Sequence, residues 1–476
     1  MRKINLYKIL FAFVAISSLT GCKKLFDETE ISSNPNAVTD VEVTTLLSGT
    51  LLGVGMLHED TDVRIASIFA GELNGLSRQH QGYAQYIVSS QNFTWTTLYP
   101  VAGQARLIQT KADELGDQWL KGVGQVLEAL VIAKATDLYG DVPYSQAFDD
   151  VTYPTPVFDA QADVYAELQS TLDDAITNLS ASTGLSFSAQ DFFYQGDVDK
   201  WKAAAYTLKA RLYLHLGNYS AAIESAKNGI SSTSGDALVP HGSSQDTDIN
   251  LNYGFFAINR TGDTGFDGAY LPTLMQSRID SDNTKTDETA LYNHYFYVGY
   301  VSTGTLDPNV VDGAFTEDAP HPILTYYENQ LILAEAYART SDNASALEAL
   351  NSVRTGLASG YINGKTFSST DRLYTAYTLS DFDVSGLANP KNYSSVQSAL
   401  LYEIISQRYI VLLMQYEAFN DVRRLAYATP VIQLDITPYT GTSLPSRFIY
   451  PQEEINTNPN VPNPVPDQWE KLPIYQ

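Results

Sequence analysis

Apolar residues recur at helical spacing through much of the chain. Val123, Leu127, Leu130, Val131 and Leu138 share one face, and the spacing predicts a helix that Gly140 caps and Pro143 blocks. Asp163 to Leu179 carries Val164, Leu168, Leu172, Ala175 and Leu179 on one side, which predicts a second helix. Trp201, Ala204, Ala205, Leu208 and Leu212 form the next stripe. Gly217-Asn218 breaks it, and Tyr219, Ile223, Ala226 and Ile230 form another. A similar unit follows: 328–340 reads as helix, Ser341-Asp342-Asn343 as a break, and 344–354 as helix through Leu347, Leu350 and Val353. Ile405, Tyr409, Leu412, Tyr416 and Phe419 predict one long helix over 402–425.

Two helices joined by a short turn, spread over about 30 residues, resemble tetratricopeptide repeats, whose period is about 34 residues. The pairs are not contiguous. Residues 231–322 and 355–400 lack sustained periodicity and are rich in Gly, Ser, Thr, Asn, Asp and Tyr. Insertions this long inside a compact domain are usually functional or disordered, and the tyrosines argue for order. The expected fold is therefore mainly α. A tetratricopeptide-like helix-pair scaffold (about 41–230, 323–354 and 401–430) carries a loop-rich second lobe (about 231–322 and 355–400). Prolines from Pro430 to Pro473 predict an extended, helix-free tail over 430–476.

The first residues change the picture of where this domain resides. Arg2, Lys3 and Lys8 precede an apolar run from Ile9 to Leu19. That run is shorter than the roughly 20 residues a spanning helix needs, so 1–21 reads as a secretory signal. It ends Leu19-Thr20-Gly21-Cys22, which resembles a bacterial lipobox, and Cys22 is the sole cysteine. Cleavage there makes Cys22 the lipidated N-terminus, with 22–40 as a tether and 41–476 as the domain. Several acyl chains hold such an anchor on a membrane. The full chain carries 29 Lys plus Arg against 54 Asp plus Glu, a net charge of -25, which argues against nucleic acid as a partner.

Several segments together resemble one family. The lipobox, Asn34-Pro35-Asn36, Asp137-Leu138-Tyr139-Gly140-Asp141-Val142-Pro143-Tyr144, Gln407-Arg408-Tyr409, the run Gln415 to Arg424, and Arg447-Phe448-Ile449-Tyr450-Pro451 occur in order along nearly the whole chain. They are similar to the SusD/RagB-type lipoproteins of the Bacteroidota. The resemblance implies four tetratricopeptide-like helix pairs and an irregular lobe. It also implies an outer-membrane location facing outside, a SusC-like TonB-dependent transporter as partner, and a glycan or, in some members, oligopeptide cargo. It implies no catalysis and no cofactor. Within 407–424, Arg423 and Arg424 suit the negative end of a helix, and Glu417, Asp421 and Arg424 suit a small structural ion network.

Sugar binding needs flat rings beside fixed donors and acceptors. The chain has 32 tyrosines. Tyr292, Tyr295, Tyr297 and Tyr300 cluster with Asn293, His294 and Phe296, and strand alternation would set Tyr295 and Tyr297 on one face. A second candidate segment holds Arg78, His80, Tyr83 and Trp95, with Trp95 also suited to packing. Phe255-Phe256 with Asn259 and Arg260 is a third. Each segment reads more readily as buried core than as a binding surface. No Gly-x-Ser-x-Gly elbow, no His-Glu-x-x-His helix and no spaced carboxylate pair marks a hydrolase, and the six histidines show no metal-ligand spacing. Besides the cargo receptor, an enzyme and a protein-interaction scaffold without a small ligand remain as other readings.

Overall fold

The computed structural model of the chain describes residues 42–245, 247–279, 281–439 and 442–476. The leader 1–21, Cys22 and the tether to residue 40 lie outside the described residues.

Helices build the frame, as the periodicity predicts. In chain order they are α1 (Val43–His58), α2 (Thr61–Phe69), α3 (Arg78–Ala84), α4 (Leu98–Leu115), α5 (Gln118–Tyr139), α6 (Gln161–Leu179), α7 (Val198–His215) and α8 (Tyr219–Ala226). Then come α9 (Tyr270–Ile279), α10 (Thr289–Tyr295), α11 (Tyr326–Arg339), α12 (Asn343–Ala358), α13 (Val396–Val411), α14 (Glu417–Arg424) and α15 (Gln452–Thr457). The turns are punctuated as their residue types dictate. Asp117 caps α5 by accepting from the Trp119 and Leu120 amides, at 3.1 and 3.3 Å. Asn218 starts α8 by accepting from Ala221 N, directly after Gly217 takes a left-handed φ of 67°. Consecutive helices pack as antiparallel pairs (α4 with α5, α7 with α8, α11 with α12), and α5 is buried along almost its whole length.

Two expectations differ from the structure. The long final helix is two helices, α13 and α14. At the break Met414 adopts φ 59°, and its amide donates to Glu72 Oε2 at 3.2 Å instead of continuing the ladder. The tail is not free of helix: α15 fits between Pro451 and Pro459, neither of which falls inside it. Within 231–322 the structure places α9, α10, a π-helical turn at Gly254–Asn259 and short strands. The first seven strands in chain order, one of them from the scaffold segment before this range, are β1 (Asn74–Gly75), β2 (Ala237–Val239), β3 (Thr264–Gly265), β4 (Thr286–Asp287), β5 (Phe296–Val298), β6 (Leu306–Pro308) and β7 (His321–Leu324), of which β1 and β3, β2 and β7, and β5 and β6 pair antiparallel.

Buried ion pairs tie the helices across long sequence distances. Arg211 on α7 donates to both oxygens of Glu328 on α11 at 2.6 Å. Arg424 on α14 holds Glu335 on α11 at 2.7 and 2.6 Å and reaches Asp421, which also accepts from Arg408 of α13 at 2.6 Å. Burial works against ionisation of Glu335, yet Arg424 and Arg339 hold its pKa far below the usual carboxylate range. Breaking such a pair leaves an uncompensated buried charge and costs about 3–5 kcal/mol. Among the described residues no helix is long and apolar enough to cross a membrane.

Candidate functional site

All three candidate segments meet at the edge of the irregular lobe. Asn74 pairs with Gly265 and Gly75 with Thr264. Phe266 N donates to Leu306 O at 2.8 Å, which sets β3 beside β6, and β6 pairs with β5. Four short strands thus run side by side, bringing 74–83, 255–266 and 296–308 together. Gly75 is required here, because a Cβ would sit 1.7 Å from the His80 carbonyl oxygen.

At this edge the buried carboxylate of Asp263 is a hub. Ser77 Oγ donates to its Oδ1 at 2.9 Å, Arg78 Nε lies 3.4 Å away, and His80 Nδ1 is 3.5 Å from Oδ2. Burial outweighs that carboxylate and lowers the His80 pKa to about 4, so the imidazole is neutral near pH 7. The Arg78 guanidinium is 59% exposed and projects outward. Arg78 itself holds φ 51°, a left-handed conformation that costs a non-glycine residue roughly 1–2 kcal/mol. Such strain gathers at ligand clamps. Ser77 Oγ also donates to Gly262 O at 3.2 Å, and a Cβ on Gly262 would lie 3.2 Å from Val301, so the hairpin after β5 abuts this edge.

The structure sorts the candidates by accessibility. Tyr297 and Tyr300, on β5 and the hairpin that follows it, are exposed, like Arg78. Tyr292 is half-buried, edge-on to Phe296 at 4.7 Å. Tyr295 is buried and donates to Ile410 O at 3.1 Å, so it offers no free face. The shared strand face for Tyr295 and Tyr297 is corrected: α10 runs through Tyr295, and alternation begins only at Phe296. His80 and Tyr83 are buried, with ring centroids 5.4 Å apart, and the Tyr83 hydroxyl accepts from Asn92. Trp95 is buried among Tyr99, Tyr139 and Tyr450. Phe255 lies between Arg64, 4.4 Å from its centroid, and His80 at 5.2 Å.

Beyond the far end of α3 lies a cleft of about 720 Å³ that the sequence did not mark. Its walls come from β1, α9, α13 and the segment 435–439. Tyr86, Tyr270, Tyr402 and Tyr439 line it. Tyr86, at φ 59°, accepts from the Tyr439 amide through its hydroxyl at 3.2 Å, and Tyr270 accepts likewise from the Asp435 amide at 3.2 Å. On one wall, Arg278 makes two bonds to Glu403 at 2.7 and 2.8 Å and one to Glu288 at 2.9 Å. Lys391 pairs with Asp435 at another. The only advance signal was the tyrosine count, because these rings come from four separate segments.

One buried group resembles a metal centre. Asp137, His215 and Glu417 place ligand atoms within 4.8 Å of one another. Yet Asp137 faces Nδ1 at 3.3 Å and Glu417 faces Nε2 at 2.9 Å, on opposite sides of the ring, so a cation on either nitrogen meets only one carboxylate. Arg211 lies 3.5 Å from Glu417 as well. The arrangement suits an imidazolium held between two acids. Burial opposes that charge, the carboxylates more than offset it, and the His215 pKa rises to about 9.

Residues 35–451 match the model of a family described as SusD-like, starch-binding and associating with the outer membrane. No curated protein matches the chain. Solved structures share the fold. A SusD/RagB family protein from Bacteroides thetaiotaomicron aligns with a TM-score of 0.67 at 22% identity, over 88% of this chain and 95% of that one. A chitin-binding protein aligns with a TM-score of 0.65 at 21% identity, over 91% and 99%. A chitin-binding SusD homolog from Flavobacterium johnsoniae aligns with a TM-score of 0.61 at 17% identity, over 87% and 93%.

Proposed function

Because this chain belongs to the SusD-like family, we propose that it captures oligosaccharide at the outer-membrane surface and passes it to a SusC-like TonB-dependent transporter, without chemical conversion. The observation that carries the reading is the strand edge where Arg78, Tyr297 and Tyr300 stand exposed. Sugar C–H faces stack on the two phenol rings, and the guanidinium donates to ring hydroxyls. Asp263 fixes the base of this guanidinium, which limits the ordering cost on binding. The lipobox at Leu19 to Cys22 supports a lipid anchor that keeps the domain at the membrane, facing outside. Two related structures are described as chitin-binding and the family as starch-binding, so chito- and malto-oligosaccharides are the first cargoes to try.

Absence of catalysis is part of the proposal. Four buried glutamates of the scaffold, Glu328, Glu335, Glu403 and Glu417, are each held by arginine or histidine. That commits them to structure and leaves them poorly suited to acid–base work.

A second reading has its own observation. Val298 is 67% exposed and Val301 is exposed beside the same tyrosines. Aliphatic groups of this kind suit a peptide side chain better than a sugar, so oligopeptide cargo is the alternative. Titrating the chain with oligosaccharides and with a random peptide pool separates the two. Saturable sugar binding that Tyr300→Ala weakens supports the first reading. Binding of peptides alone supports the second, and no binding of either favours a protein-interaction scaffold.

A further inference from the structure

We infer that the cleft between β1, α9, α13 and the segment 435–439 is a second ligand site, built for an uncharged sugar segment and separate from the exposed strand edge. Three features select this ligand class. The cleft, at about 720 Å³, lies inside the usual range of small-ligand pockets, roughly 300–1,000 Å³. Its walls are rings with polar rims: Tyr439 is 45% exposed, Tyr270 is half-buried, and the α9 side chains Thr273 and Ser277 bring hydroxyls alongside. Lastly, its charges are already matched. Arg278 is clasped by Glu288 and Glu403, and Lys391 by Asp435, so neither cation is free for an anionic group. An anionic ligand would have to break the buried Arg278 pairs or compete with Asp435 for the exposed Lys391, whereas a neutral polyol exchanges its water hydrogen bonds for those of the rim.

The walls are also preformed. Tyr86 and Tyr270 hold the 435–439 segment through its own amides, so binding requires no ordering of that wall. The cleft and the strand edge lie on either side of α3. Asn74 of β1 lines the cleft, while Ser77 and Arg78 belong to the edge, so one long chain could engage both or two short ones could bind separately.

The test uses calorimetric titration of the full chain with cellohexaose, xylohexaose, mannohexaose, maltohexaose and chitohexaose, and with a sulfated hexasaccharide. Two variants fill the cleft from exposed α9 positions, Thr273→Trp and Ser277→Trp. A third, Tyr300→Ala, alters only the strand edge. At least tenfold weaker binding of one neutral sugar in both tryptophan variants, with melting temperature unchanged and with Tyr300→Ala retaining that component, supports the inference. If every neutral sugar behaves identically in wild type and both tryptophan variants, including by not binding at all, the inference is overturned. Loss in Tyr300→Ala alone overturns it while leaving the strand-edge reading intact. A component in the cleft that takes only the sulfated sugar overturns the neutral class.

Discussion

Arg78 and Asp263, 185 residues apart in sequence, meet at 3.4 Å, with the carboxylate buried and the guanidinium mostly in solvent. The pair is too exposed on the arginine side to hold the lobe together, since ion pairs of this kind contribute about 0–1 kcal/mol. Its consequence is positional: a donor fork is held toward solvent from a fixed base on the strand edge that also carries Tyr297 and Tyr300. The left-handed φ of Arg78 fits the same account.

Replacing Arg78 with glycine therefore separates stability from binding. Arg78→Gly relieves the left-handed strain and is expected to leave stability unchanged or raised by about 1 kcal/mol, while cargo affinity falls about tenfold. Denaturant melts and titration of the same sample check both halves. Loss of stability together with unchanged affinity would contradict this role for Arg78.

The tyrosines divide by accessibility. Tyr300→Ala and Tyr297→Ala are each expected to weaken binding by roughly 1–2 kcal/mol with no change in melting temperature. Tyr295→Phe should behave in the opposite way. It loses one buried hydrogen bond to Ile410 O, worth about 1 kcal/mol of stability, and leaves affinity alone.

This contrast shows how far the sequence could be read. The helix frame was legible because stripes such as Val164, Leu168, Leu172 and Leu179 repeat over whole turns, and caps such as Asn218 carry their own chemistry. The segments holding Arg78, Phe255 and Tyr300 were also legible as candidates. Their accessibility was not, since it depends on where α10 ends: a boundary one residue earlier would reverse the faces of Tyr295 and Phe296. The break at Met414 was hidden because the apolar spacing continues through it, while the deciding partner, Glu72, is 342 residues away. The cleft was illegible for the same reason. Its rings come from segments that only the tertiary fold unites.

Within the scaffold, His215 carries a pH signature. Its folded pKa, near 9, lies above the unfolded value of 6.5. A raised value means stabilisation that is complete below pH 6.5 and is lost as pH rises through 9, a loss of roughly 3 kcal/mol. Asp62 and Asp236, raised to about 7 by burial, make most of their change below pH 7, and Glu72, also raised by burial, titrates alike in wild type and variant, so the difference between wild type and His215→Gln isolates the share of His215. Chemical denaturation between pH 7 and 10 should show the decline. His215→Gln should be about 3–5 kcal/mol less stable at pH 7 and should decline less steeply between pH 7 and 10. A wild type flat across this range would contradict the imidazolium assignment.

The account rests on an exposed ring-and-guanidinium edge that holds sugar. The most direct measurement is a titration of the intact chain and its Tyr300→Ala variant with chito- and malto-oligosaccharides, with the sugar recovered afterwards. The account predicts saturable binding of at least one sugar, about tenfold weaker in the variant, and sugar recovered at its original length. No binding by the intact chain, equal binding by the variant, or shortened products would contradict it.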